Sequence, residues 1–290
     1  MIARSLLFVP GHNSKFMESA AKSNADILLP DVEDSVQPIS NKQLSRDMIL
    51  SFVNDKKFDG KLVFPRVNAP NSGELIHDIT QLAVRGIDGF MYPKARTGSD
   101  IYFFDKLLES VETQKGFPIG TFKIIPLIET TAAVLNAQDI CKASDRVIAI
   151  AYGCEDFITD LKGVHDGGDV SLFVPRSLIA MAARAHNVIP IDTVHVNIND
   201  LDDLEKNLKT AKNLGFEGML SLHPKELPLI HQYFSPSSTE IDNAKRIIEL
   251  YNESERNGKG VALFGDELIG PPMVKHAKNL LNKWINKWKN

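Results

Sequence analysis

The sequence is poor in cysteine, with two in 290 residues, Cys141 and Cys154. That is too few for a disulfide framework or a zinc cage, and it fits a reducing cytoplasm where thiols stay free. No apolar run approaches the roughly 18 residues of a membrane span. The start, MIARSLLFVPGHN, has one arginine and a short apolar stretch but no small-residue cleavage site, so no secretory signal is expected. Excess charge of either sign is missing as well. A formal net charge of −4 points to neither a nucleic-acid surface nor an anionic membrane. Glycine-rich phosphate loops are absent: VPGHNSKF, after the first apolar run, holds one glycine and supports neither a dinucleotide fingerprint nor a Walker loop.

What the chain does contain is one alternation, repeated. Short apolar runs of strand length are each followed by a longer stretch with apolar residues at three-to-four spacing. The runs are SLLFVPG (5–11), ADILLPD (25–31), KLVFPRVN (61–68), GFMYPKA (89–95), FKIIPLIET (122–130), RVIAIAYGCED (146–156), IDTVHVN (191–197) and GMLSLHP (218–224). They are continuous rather than alternating, as parallel strands buried on both faces require. About eight strand–helix units in some 230 residues is the length of a (β/α)8 TIM barrel, with a doubly wound sheet as the competing arrangement. The barrel is expected over residues 1–235. A C-terminal helical extension, 236–290, follows and either packs on the barrel or covers a neighbouring subunit. It opens with a helix capped by Ser or Thr before Glu240. It closes with a helix whose Val274, Leu280, Leu281, Trp284, Ile285 and Trp288 fall largely on one stripe.

Polar residues cluster at the C-terminal ends of the runs, where a barrel collects its chemistry. His12 follows the first run, and Asp31, Glu33 and Asp34 the second. Arg66 and Asn68 end the third, Lys94 the fourth, Glu129 the fifth, Glu155 and Asp156 the sixth, Asn197 the seventh and His223 the eighth. Three carboxylates within four residues repel one another, so a cation is expected among them. Glu129 and Asp156, with no paired His or Cys nearby, form a hard oxygen-ligand set of the kind Mg²⁺ prefers. Facing an arginine, such a metal suits chelation of a 2-oxo or 2-hydroxy acid. Plainer roles compete at each position. The acids can cap the following helix, Arg66 can bridge to them structurally, and Glu129 can be a helix N-terminal acid. His12 can be a turn residue, His223 a structural or ligand-contacting one, and Cys154 a small buried hydrophobe.

Taken in order, RSLLFVPG, DILLPDVEDSV, PRVN, PK, PLIET, GCEDF, LGFEGMLSLHPKEL and YFSPSSTEIDNAKRIIELY resemble the citrate lyase beta-subunit-like acyl-CoA lyases of the HpcH/HpaI aldolase family. The resemblance spans nearly the whole chain. It implies a Mg²⁺-dependent, homotrimeric TIM-barrel lyase that cleaves or forms 3-hydroxyacyl thioesters such as citryl-, malyl- or citramalyl-CoA, releasing a 2-oxo acid. The acyl group rides on CoA or on an acyl-carrier protein. By the same resemblance Glu129 and Asp156 match the metal ligands, Arg66 matches the arginine that binds the oxo acid, and Glu33 matches the acid beside the metal's water shell. Asn68, Lys94 and His223 are candidate substrate contacts.

The sequence departs from the family in two places. Members typically carry an Asp in a C-terminal G-x-M-(I/V)-D-x-P motif, delivered to a neighbouring subunit. The matching stretch here is FGDELIGPPMVKHA, with Gly270 at the Asp position. Asp266 or Glu267, just upstream, are the candidate replacements for that acid–base group. Otherwise the chain is a divergent aldolase or thioester hydrolase, or a non-catalytic ligand binder. Ala133 also stands where the family usually has Gly.

Overall fold

The computed structural model describes residues 1–164 and 170–285, except for the side chains of Val170 and residues 283–285. It divides into two compact units: Ala3–His231 with Met1, and the chain from Gln232 onward with Ile2.

The first unit is a (β/α)8 barrel. Its strands are β1 (Ser5–Pro10), β2 (Ile27–Asp31), β3 (Leu62–Val63), β4 (Gly89–Tyr92), β5 (Lys123–Ile128), β6 (Ala149–Tyr152), β7 (Ile189–Asp192) and β8 (Gly218–Ser221). They run parallel in the order β3-β2-β1-β8-β7-β6-β5-β4. Between them lie α1 (Ser14–Lys22), α2 (Asn41–Asn54), α3 (Leu75–Leu82), α4 (Gly98–Lys115), α5 (Thr131–Leu135), α6 (Ala137–Lys142), α7 (Cys154–Leu161), α8 (Val170–Ala185) and α9 (Leu201–Leu214), with α10 (Leu227–Phe234) after β8. Alternate strand residues fill the barrel interior: Ile27 and Leu29, Ile125 and Leu127, Ala149 and Ala151. The intervening Leu28, Ile124 and Ile150 are equally buried. Both faces are covered, which is why the runs read as continuous.

The seam between β3 and β4 is closed by Arg66. Pro65 has no N–H to give to a ladder, and β3 stops at Val63. Arg66 then resumes the pairing by itself, bridging Asp31 on one side and Met91 on the other. Its N–H donates to Pro30 O, Val32 N donates to its carbonyl, and Val67 N donates to Met91 O. Asp88 N and Met91 N complete the link by donating to Val63 O and Pro65 O, so few bonds cross it and Pro65 interrupts the strand. The observed β3 is shorter than the run 61–68 for this reason.

β7 also differs from the run 191–197. It spans Ile189–Asp192, because Asp192 is locked at the strand end by a fully buried ion pair with Arg176 of α8. Asn197 consequently lies beyond the strand in an exposed loop. Among the described residues no helix is long and apolar enough to cross a membrane.

The second unit contains α11 (Ser238–Arg256), a hairpin of β9 (Ala262–Phe264) and β10 (Glu267–Ile269), and α12 (Pro271–Ile285). Ser237 caps α11 by accepting from Glu240 N, and the Glu240 carboxylate accepts from Ser237 N in return. Tyr251, Ile269 and Val274 form its small core. Of the apolar stripe expected on the last helix, Val274 is buried and Leu280 and Leu281 are half-buried. Trp288 and the side chains of Trp284 and Ile285 lie outside the described residues.

Candidate active site

Five neighbouring strands deliver charge to one end of the barrel. Asp31 ends β2, Arg66 closes the seam after β3, Lys94 follows β4 and Glu129 follows β5. Glu155 and Asp156 occupy the first turn of α7, directly after β6. Acids are favoured there by the unpaired N–H groups of a helix start.

Arg66 is the hub. Its Nε and Nη2 donate to Asp31 Oδ1 and Oδ2 at 2.8 and 2.7 Å, a two-pronged pairing that fixes the guanidinium plane. Nη1 stands 3.1 Å from Glu33 Oε2 and 3.9 Å from Asp34. The guanidinium carbon lies 4.8 Å from the centre of the Phe8 ring, close enough for a cation–π contribution. Burial alone would raise Asp31, but the Arg66 charge and hydrogen bonds outweigh it and hold this carboxyl at about 2. Arg66 is raised for the reciprocal reason: burial disfavours its charge, and Asp31 more than offsets that. The structural bridge and the functional reading of Arg66 are thus both realised. Asp31 uses both oxygens on Arg66, while the guanidinium keeps unused N–H donors on Nη1 and Nη2.

Lys94 adopts a left-handed backbone, φ 55°, which costs a non-glycine residue on the order of 1 kcal/mol. The turn aims its backbone N–H at Glu129 Oε1, 2.5 Å away. It also brings Nζ to 3.3 Å from Asp34 and 3.7 Å from both Glu33 and Asp156. Burial disfavours the ammonium, but Glu129 and the other three acids reverse this and raise its pKa.

Two carboxyls in this group are poorly compensated. Burial pushes Glu129 up to about 8 against the opposing pull of Lys94. It pushes Glu33 up to about 7, with Arg66 opposing and Asp34 reinforcing, and Glu33 Oε2 accepts no hydrogen bond. Gly153 makes room for Glu129: a Cβ at that position would stand 2.9 Å from Glu129 Cβ and 3.3 Å from its Oε2. A cavity of about 280 Å³ opens over these groups, and Asp31, Arg66, Glu129, Glu155 and Asp156 reach it. Cys154 also lines it, as a thiol that burial pushes up to about 12 and keeps inert.

Asn68, His223 and His12 are not brought there. Asn68 is 2% exposed, and its amide donates to Val32 O at 2.9 Å and to Asp78 Oδ2 at 2.8 Å. It buttresses the acidic loop and has no free face for substrate. His223 is exposed and caps a short 3-10 turn, accepting from Lys225 N through Nδ1; neither it nor His12 lines the cavity. Asp266 and Glu267 sit exposed in the hairpin of the second unit. Sequence reasoning missed Lys42 of α2, which is buried and donates from Nζ to Glu33 O at 2.5 Å. It also missed Phe8, hidden inside an ordinary apolar run. A lysine at a helix start carries no signal of burial.

The donor set suits a hard cation. Among the described residues no three His, Cys, Asp or Glu side chains gather closely enough to hold a metal. That leaves the Glu129–Asp156 side with carboxylate oxygens, open space and room for water, which Mg²⁺ tolerates and Zn²⁺ does not favour. A divalent cation beside Glu129 would reverse the burial effect that raises its pKa.

A barrel with a half-buried arginine, under-compensated carboxylates and an open cavity at its C-terminal end defines an enzyme that handles small oxygen-rich anions. Residues 4–224 match the HpcH/HpaI aldolase/citrate lyase family, and the chain belongs to it. The protein is a carbon–carbon lyase. It is similar to citrate lyase subunit beta of Haemophilus influenzae, at 30% identity over 282 residues and 97% of each chain. It is also similar to L-malyl-CoA/beta-methylmalyl-CoA lyase of Cereibacter sphaeroides, at 26% identity over 303 residues, 97% of this chain and 94% of the relative. Among solved structures, protein CitE of Mycobacterium tuberculosis in complex with magnesium, acetoacetate and coenzyme A superposes with a TM-score of 0.75. The identity is 25%, over 96% of this chain and 97% of that one.

Proposed function

We propose that the protein is a Mg²⁺-dependent lyase that cleaves or forms a 3-hydroxyacyl thioester, exchanging it for a 2-oxo acid and an acyl thioester. The observation that carries this reading is the pairing of a half-buried, plane-fixed Arg66 with the under-compensated Glu129 across one cavity. Relatives named for citrate and malyl-CoA cleavage, and a neighbour solved with magnesium, acetoacetate and coenzyme A, support it.

In this reading Glu129 and Asp156 hold the cation, which when bound polarises the carbonyl of the departing oxo acid. Arg66 orients the oxo-acid carboxylate through the N–H donors that Asp31 leaves unused. Lys94 holds Glu33, Asp34 and Asp156 against their mutual repulsion and adds positive charge beside the developing carbonyl. Glu33 is the acid that would stand beside the cation's water shell. The proton of the hydroxyl group needs an acid–base residue, and with Gly270 at the expected Asp position we assign that role to Asp266 or Glu267. A homotrimer accompanies the proposal. Leu263 and Leu268, cross-strand partners 63% and 62% exposed, are the kind of pair a subunit contact would cover.

The test is a calorimetric and thermal-shift titration of Mg²⁺ with pyruvate, glyoxylate, oxaloacetate and acetyl-CoA, on the wild type and on Glu129→Ala. An oxo acid that stabilises the wild type only with Mg²⁺, and not the variant, is expected. Stabilisation that persists in Glu129→Ala would sink the assignment. The Gly270 departure favours one second reading, a metal-dependent binder without turnover. It would show as the same titration result with no cleavage and no effect of Asp266→Ala or Glu267→Ala.

A further inference from the structure

The cavity is not charged all round. The sheet order puts β7, β8 and β1 side by side, opposite the strands that carry the ion pairs. This arc presents Phe8, Pro10, Val194, Leu220 and Leu222 to the cavity. Among the described residues no polar side chain of these three strands and their loops lines the cavity, and several are held by other partners. Asp192 pairs with Arg176, Ser221 donates to Glu226 at 2.7 Å, and His195 faces Asp203 at 3.2 Å. Among the described residues, Arg66 is the one cation lining the cavity. Lys94 Nζ, at the rim, is already shared by Glu33, Asp34 and Asp156.

Resting on the lyase reading above, we propose that the site selects a 2-oxo monocarboxylate with a small alkyl substituent and discriminates against a dicarboxylate. One carboxylate finds Arg66. The substituent on the other side of the carbonyl then meets the apolar arc, where a methyl or ethyl group gains contact. A second carboxylate there would be desolvated against Leu220, Leu222 and Val194 with no cation to receive it. The acids of the opposite arc, Asp31, Glu129, Glu155 and Asp156, make further negative charge in the cavity less favourable still. Phe8 joins the two halves: it lines the cavity and places a face of its ring toward Arg66.

The experiment is calorimetry on the full chain in saturating Mg²⁺ with pyruvate, 2-oxobutyrate and oxaloacetate. Pyruvate and 2-oxobutyrate are expected to bind at least about tenfold more tightly than oxaloacetate, within the range that one mismatched group in a pocket produces. Leu222 is 41% exposed and tolerates a long side chain, so Leu222→Arg should move the oxaloacetate-to-pyruvate ratio about tenfold toward oxaloacetate. Leu222→Gln, which adds polarity without charge, should not. Oxaloacetate binding as tightly as 2-oxobutyrate, or a ratio unmoved in Leu222→Arg, would overturn the proposal and leave the lyase reading standing. No Mg²⁺-dependent binding of any oxo acid would overturn both.

Discussion

The two arcs of the barrel mouth are built on the same parallel strands with opposite outcomes. From β2 to β6, strand ends and the loops after them keep charged groups turned toward the cavity. There, Arg66 and Lys94 are outnumbered by Asp31, Glu33, Asp34, Glu129 and Asp156. On β7, β8 and β1, Asp192 and Ser221 find partners away from the cavity, and apolar side chains face in. The difference shows that polarity at a strand end does not by itself make a site. What matters is whether the fold satisfies the group elsewhere, because a buried polar group that is already paired has nothing to offer a ligand.

The largest break in that contrast should come from Arg66→Ala. It leaves Asp31 buried and unpaired, which costs about 3–5 kcal/mol for such a pair, and it removes the oxo-acid anchor. A strongly lowered Tm together with lost ligand binding is expected, and a near-wild-type melting curve would contradict the role given to Asp31. Next in size is the charged arc's dependence on pH. Burial sets Glu129 and Glu33 above their ordinary 4.5, at about 8 and about 7. Carboxyls raised in this way favour the folded state below about pH 4.5, and that contribution is lost as pH rises toward 8. In EDTA, melting temperature should therefore fall between pH 5 and 8, and the fall should be shallower in Glu129→Gln. Asp31 runs the other way. With its folded value near 2, below the ordinary 3.8, its contribution is present above about pH 4 and disappears as pH drops toward 2. Acid melts of Asp31→Asn should lack that final loss. The smallest effect belongs to an exposed residue of the loop after β7: Asn197→Ala should change stability by less than about 0.5 kcal/mol and shift ligand affinity within twofold.

Much of this was legible in the residues. Continuous apolar runs ending in polar residues gave eight strands and the end of the barrel to search, and Arg66, Lys94, Glu129 and Asp156 do converge there. Asn68 and His223 do not line the cavity, because sequence shows which strand end a residue occupies but not which neighbour claims it; Asp78 claims Asn68, and a local turn claims His223. Asn197 was misplaced because Thr193 to Val196 have strand propensity, while the Arg176–Asp192 pair that ends β7 joins residues distant in sequence. Phe8 and Lys42 gave no sign of their positions. An aromatic in an apolar run and a lysine on a helix have many ordinary uses.

The backbone of Arg66 pairs with β2, its neighbours Pro65 and Val67 bond to Met91 across the eighth seam, and its side chain is the hub of the charged arc. A chain in which this seam has opened has also misplaced its arginine. On the proposed reading, an oxo acid that fastens the guanidinium also holds the barrel shut. Amide protons of Arg66 and Val67 should therefore become slower to exchange when the oxo acid arrives, so that occupancy of the site is read in the closure of the barrel.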